Sequence, residues 1–120
     1  MLGTNDLSRS TRFYEALLSP LGGHRAFTTD QTVAWRFGRF GALISLTLPH
    51  DGKLASAGNG VMVAIALPER ITVDEAHAKA IALGAANEGA PGVRGASHYS
   101  SYVRDLDGNK LSFFHLPRDE

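Results

Sequence analysis

The sequence predicts an α+β fold made of two similar halves. Three observations carry this: two runs with apolar residues at helical spacing, short β-branched or aromatic runs after each, and a polar, Gly-rich passage between the two sets. With 120 residues, 43% of them hydrophobic, the chain can bury a core without a disulfide or metal and has no room for a second domain. The expected organisation is one domain over 1–120, with a first module at about 1–48, a linker at 49–59 and a second module at about 60–116.

The first module opens with a short strand over 1–4. Asp6 is a good helix N-cap because its carboxylate can accept from the first free backbone N–H groups; Phe13, Tyr14, Leu17, Leu18 and Leu21 then line one side. Pro20 and Gly22-Gly23 end that helix. Runs 24–29, 32–37 and 42–48 alternate and are β-branched or aromatic, so they read as strands joined by turns at 29–31 and 38–41. The passage 49–59 is polar and glycine-rich.

The second module begins with a run over 61–67 that is apolar on both faces, which predicts a strand covered on both. Pro68 stops it. Thr72 or Asp74 can cap a second helix, with Val73, Ala76, Ala80, Ile81 and Leu83 as its apolar stripe and Gly84 as its C-terminal stop. A Gly/Pro-rich loop is expected over 88–95. Strands over 98–104 and 110–116 flank the turn 105–109 and form a hairpin. Each half thus runs strand, helix, then further strands; the repeat rests on this order of elements, not on a sequence period.

Composition narrows the function classes. Twelve basic residues balance twelve acidic ones, so no positive field gathers phosphates, and nucleic acid and membrane surfaces are poor partners. The apolar runs fall short of the roughly 20 residues a membrane helix needs, and Met1 leads straight into Gly3-Thr4-Asn5-Asp6, so no signal peptide is expected and the cytoplasm is the default compartment. The absence of cysteine excludes disulfides, zinc–thiolate sites and thiol nucleophiles. Asp105-Leu106-Asp107-Gly108-Asn109 lacks the glycine and glutamate positions of a calcium loop, and Gly95-Ala96-Ser97-His98-Tyr99 lacks the second glycine of a hydrolase elbow.

Three segments carry a resemblance: Leu2-Gly3-Thr4-Asn5-Asp6-Leu7 followed by Phe13-Tyr14; Gly58-Asn59-Gly60-Val61-Met62-Val63-Ala64; and Val103-Arg104-Asp105-Leu106-Asp107-Gly108-Asn109-Lys110-Leu111. Together they resemble the vicinal oxygen chelate superfamily, which includes glyoxalase I, bleomycin-resistance proteins and extradiol dioxygenases. Leu106 replaces the proline of the family's usual Asp-Pro-Asp-Gly turn. The resemblance implies paired βαβββ modules forming a curled, half-open mixed β-sheet barrel with helices outside, a ligand held within, and a homodimer. Metal-using members hold one divalent ion with four side chains, His or Gln and Glu, leaving positions for two substrate oxygens. Here the resemblance puts Ser45, Met62 and Ser112 at three of those positions, and the fourth precedes Leu2. Hydroxyls and a thioether are poor donors for such ions, so a degenerate metal site and no cofactor are expected.

Strand parity supplies a ligand-facing set independently, because alternate side chains face opposite sides of a sheet. Ala42, Ile44, Leu46 and Leu48 are wholly apolar and are assigned to the helix side, which leaves Leu43, Ser45 and Thr47 for the other. A hairpin closing around Arg39-Phe40 sets Arg36 opposite Leu43 and Ala34 opposite Ser45. Pairing Arg104 with Lys110 sets Tyr102 beside Ser112. The expected ligand pocket is Arg36, Leu43, Ser45, Met62, His98, Tyr102, Ser112 and Phe114, with Ala64 on its floor. Arg36 either meets a carboxylate, phosphate or enolate oxygen or is a solvated strand-edge charge, and His98 is either a pocket or a rim residue. His24, His50, His77 and His115 are read as surface or strand-end residues. The expected function is a small-molecule binder; the alternatives are a metal-dependent glyoxalase-like lyase, isomerase or dioxygenase whose metal uses other donors, such as His98 or His50, and a dimeric interaction module.

Overall fold

The computed structural model describes residues 1–117, which form two compact units dividing between Ala57 and Gly58. The architecture is α+β: each unit contributes one long helix and one four-stranded mixed sheet.

In the first unit, strand β1 (Leu2–Gly3) leads to helix α1 (Leu7–Leu18), a 3-10 turn (Ser19–Leu21), and strands β2 (Gly23–Thr28), β3 (Thr32–Phe37) and β4 (Leu43–Thr47). Asp6 caps α1 as its sequence suggests, accepting from Arg9 N at 3.0 Å. The sheet runs β1-β4-β3-β2, with β1 parallel to β4 and the other pairs antiparallel. Phe13, Tyr14, Leu17 and Leu18 of α1 are buried together with Leu2, Val33, Trp35 and Leu46 of the sheet. Leu21 lies beyond α1 in the 3-10 turn and is only half-buried, because the helix has tightened before reaching it. Two polar anchors join helix and strands: buried Thr4 and Ser10 share a hydroxyl pair at 2.6 Å, and Trp35 Nε1 donates to Glu15, which also meets Arg25 at 3.0 Å.

The second unit has strand β5 (Val63–Ala66), helix α2 (Arg70–Ala82) and strands β6 (Ala86–Arg94), β7 (His98–Arg104) and β8 (Lys110–His115). Its sheet runs β5-β8-β7-β6, again with one parallel pair, β5 with β8. The core consists of Val73, Ala76 and Ala80 from α2 against Ile65, Val103, Leu111 and Phe113. The 105–109 turn is wired by Asp105, whose Oδ1 accepts from the backbone N–H groups of Asp107 and Asn109, both at 2.9 Å.

The structure corrects five expectations. The segment 88–95 is not a loop: most of it is β6, which tolerates Gly89, Pro91 and Gly92 through two register shifts along β7. Helix α2 starts at Arg70, not at Thr72 or Asp74; Glu69 sits at its N-cap without a side-chain bond, and Asp74 instead accepts from Tyr99 Oη at 2.5 Å. Strand β5 is shorter than 61–67 and is covered on one face only, since Ile65 and Leu67 are buried while Ala64 and Ala66 are exposed. His77 is not a surface residue: it faces the core of the second unit beside Val73, Ala76 and Ala80. Ile81, expected in that stripe, is exposed.

Candidate functional site

In each unit, the sheet face turned away from the helix carries the side chains that chemistry could use. In the first unit the alternation puts Val33, Trp35, Ile44 and Leu46 toward α1, and Ala34, Arg36, Leu43 and Ser45 on the opposite, helix-distal face. The register is the one parity predicts: Ala34 pairs with Ser45 and Arg36 with Leu43. His24 lies beside Arg36 across β2, so His24, Arg36 and Leu43 form one row. Arg36 is exposed and makes no hydrogen bond or ion pair among the described residues. Leu43 is 45% exposed, and Ser45 is half-buried.

In the second unit Tyr99, Ser101 and Val103 face α2, and the intervening residues face away. Two rows cross the helix-distal face: Ala64, Ser112, Tyr102 and Gly89, then Ala66, Phe114, Ser100 and Gly92. Tyr102 Oη lies 3.3 Å from Ser100 Oγ, and the rings of His98 and Phe114 meet edge-on at 5.5 Å. Ser100 and Ser112 are buried although they lie on this face. Met62 stands one residue ahead of β5 with the parity of Ala64, and is 44% exposed. Thus Ser112, Tyr102, Phe114 and His98 share one face of the second sheet, and Arg36, Leu43 and Ser45 one face of the first.

Sequence reasoning missed Arg94. Its guanidinium folds back over β6, with Nη1 donating to the carbonyls of Gly92 and Ser100 and Nη2 to that of Ala90 at 2.8 Å, and it lies 5.0 Å from the Tyr102 ring centroid. Lys110 Nζ lies 5.2 Å from the same centroid. The two cations come from the strands on either side of β7. A signal was present in the glycines: a Cβ at Gly89 would come within 2.9 Å of Tyr102 Cδ2 and 3.3 Å of Arg94 Nη2, so glycine there leaves room for this cluster.

His77 has its titration moved by its surroundings. Burial holds its imidazole below the ordinary histidine value of 6.5, and nearby Arg94 adds to this, against an opposing hydrogen bond with Asn87 and the charge of Asp74. Its Nδ1 has no partner among the described residues. Elsewhere, depressions of about 480 and 330 Å³ flank α1 beside Arg12 and Arg25. A third, of about 570 Å³, opens where His115 Nδ1 donates to the Leu67 carbonyl at 3.1 Å.

The donor chemistry does not fit the divalent ion that the resemblance implies. Ser45 and Ser112 offer neutral hydroxyls and Met62 a thioether, whereas such ions take carboxylate, imidazole or amide oxygen donors. Among the described residues, no three His, Cys, Asp or Glu side chains gather into a cluster that could hold one.

The model of the glyoxalase/bleomycin resistance protein/dioxygenase superfamily matches residues 1–113. Among solved structures, a glyoxalase/bleomycin resistance protein from Albidiferax ferrireducens T118 is similar at 36% identity and TM-score 0.89, covering 98% of this chain and 95% of its own. A glyoxalase-related enzyme from Fulvimarina pelagi, at 20% identity and TM-score 0.78, covers 97% of this chain and 84% of its own. A lactoylglutathione lyase from Agrobacterium tumefaciens, at 22% identity and TM-score 0.70, covers 95% and 88%. The last two likenesses bear on the fold alone. Among proteins with curated descriptions, none matches this chain.

Proposed function

The chain belongs to the glyoxalase/bleomycin resistance protein/dioxygenase superfamily, and on that premise we propose that it binds a small organic molecule without a resident metal. The observation that carries this reading is the composition of the helix-distal face of the second sheet. Tyr102, Ser112, Phe114 and His98 contribute nothing to the core under α2, yet they put two aromatic rings, a phenol hydroxyl and an imidazole on one face, with the buried Ser112 between strands beneath them. Aromatic surface beside polar groups of fixed direction suits a small ligand. Arg36, Leu43 and Ser45 offer a comparable, more exposed set on the first sheet. The partners in this reading are that ligand and a second copy of the chain, with the cytoplasm as the compartment.

Thermal shift against a library of small organic molecules tests it: a specific binder raises the melting temperature progressively with ligand concentration. Loss of that shift in Tyr102→Ala, with the unliganded fold intact by circular dichroism, is the expected result. Metal analysis of protein purified without chelator provides the opposing outcome. A stoichiometric divalent ion would replace the metal-free binder with a metal-dependent lyase, isomerase or dioxygenase.

A further inference from the structure

We propose that Lys110 selects an anionic ligand at the helix-distal face of the second sheet, and that Arg94 is a positioning residue that holds Tyr102 beside it. The proposal rests on the ligand-binding reading above and names the charge class that reading leaves open.

Three cations border the Tyr102 row: Arg94, Arg104 and Lys110. Arg104 is matched, with Glu88 at 3.1 Å and the Gly108 carbonyl at 3.2 Å. Arg94 spends its donors on the carbonyls of Ala90, Gly92 and Ser100, which satisfy its hydrogen bonds but leave its positive charge uncancelled. Lys110 has no hydrogen bond or ion pair among the described residues; the Tyr102 ring is its one charge contact. Both unmatched cations are half-buried, and the Ala64, Ser112, Tyr102, Gly89 row holds no carboxylate. Partly buried charge without a counter-charge is unfavourable, and an anion set against Lys110 removes the imbalance.

The two cations have different roles because their donors differ in availability. The Arg94 guanidinium is committed to backbone and can only hold the Tyr102 ring. The Lys110 ammonium keeps its three donors, so a carboxylate or phosphoryl group brought to this face meets an ammonium that no carboxylate of the described residues pairs. A Cβ at position 89 would lie 2.9 Å from Tyr102 Cδ2 and 3.3 Å from Arg94 Nη2, so a larger residue there would push the cluster aside.

Three charged and neutral pairs of similar shape serve as probes: benzoate with benzamide, hexanoate with hexanamide, and phenyl phosphate with phenol. Binding is followed by amide and aromatic NMR shifts at low ionic strength. In the unaltered protein the anion of at least one pair binds about tenfold or more tightly than its neutral partner, as a charge-assisted hydrogen bond implies. Lys110→Gln abolishes that preference without weakening the neutral member, and Lys110→Arg restores it. Arg94→Gln weakens both members of the pair and makes the Tyr102 ring protons average, which a merely local loss of stability would not do selectively. If neutral and anionic members bind alike, or the anion's shifts cluster at Arg36 and survive Lys110→Gln, this proposal falls while the ligand-binding reading stands. If no probe perturbs either sheet face, both fall.

Discussion

Helices α1 and α2 occupy the same place in their modules and begin in different ways. Asp6 precedes α1 with an extended backbone and a carboxylate bonded to Arg9 N; Glu69 precedes α2 with an equally extended backbone and no such bond. The polar anchors also differ. In the first module Thr4 meets Ser10, and Glu15 joins Trp35 to Arg25, all linking helix to strand. The main anchor of the second module lies at the far end of its sheet, in the Asp105 turn, and its helix is tied by Asp74 to Tyr99. The order of elements is common to both, so it follows from where the apolar stripes lie, and each module uses its own caps and anchors to reach it.

Substitutions at these anchors and caps tell the two modules apart. Trp35→Ala, which removes a fully buried ring and leaves Glu15 without its indole donor, should cost about 3–5 kcal/mol in urea unfolding. Asp105→Ala should cost about 2–3 kcal/mol, because a buried acceptor for two backbone N–H groups is lost. If Asp105→Ala proves neutral, the turn is not the second module's anchor. Asp6→Ala should cost about 1 kcal/mol, whereas Glu69→Asp should gain about 0.5–1 kcal/mol by providing a cap that α2 lacks. Equal losses from Asp6→Ala and Glu69→Ala would erase the distinction between the two helix starts.

The smallest effects concern pH, and they separate the modules by range. His77 is held below 6.5 by burial, so the unfolded chain binds more protons there and stability falls as pH drops below about 6.5. Glu15 is held below 4.5, first by the Trp35 indole and then by Arg25; its contribution is complete above about 4.5 and is lost as pH falls further. His77→Gln should flatten the upper limb of the pH curve and Glu15→Gln the lower one, read as urea midpoints from pH 7.5 to 3.5. A His77→Gln curve that keeps its full slope near pH 6 would show that this imidazole is not the group responsible.

Much of this is legible in the sequence. Strands β3 and β7 have the bounds their alternation suggests, and the registers Ala34 with Ser45 and Tyr102 with Ser112 follow from turn lengths. Alternation failed where side chains stop reporting their face. In β6, Gly89, Pro91 and Gly92 erase the period, and the strand persists because β7 offers hydrogen bonds on both sides of each register shift. With β6 unseen, Arg94 had no face to be assigned to. His77 escaped because a polar residue within an alanine-rich stripe looks solvated until its neighbours are known. The start of α2 lies at Arg70, ahead of Thr72, because a helix can begin without a side-chain cap, as it does at Glu69, and its first turn, Arg70 and Ile71, is exposed.

Strand β6 has one more consequence. It lies at the end of the order β5-β8-β7-β6, and its outer rim is the kind of surface on which a neighbouring chain could template fibril growth. Pro91 removes a donor from that rim, and the two register shifts twist it out of line. The same irregularity that lets a guanidinium fold back over one face of the strand therefore makes a poor mould along its rim.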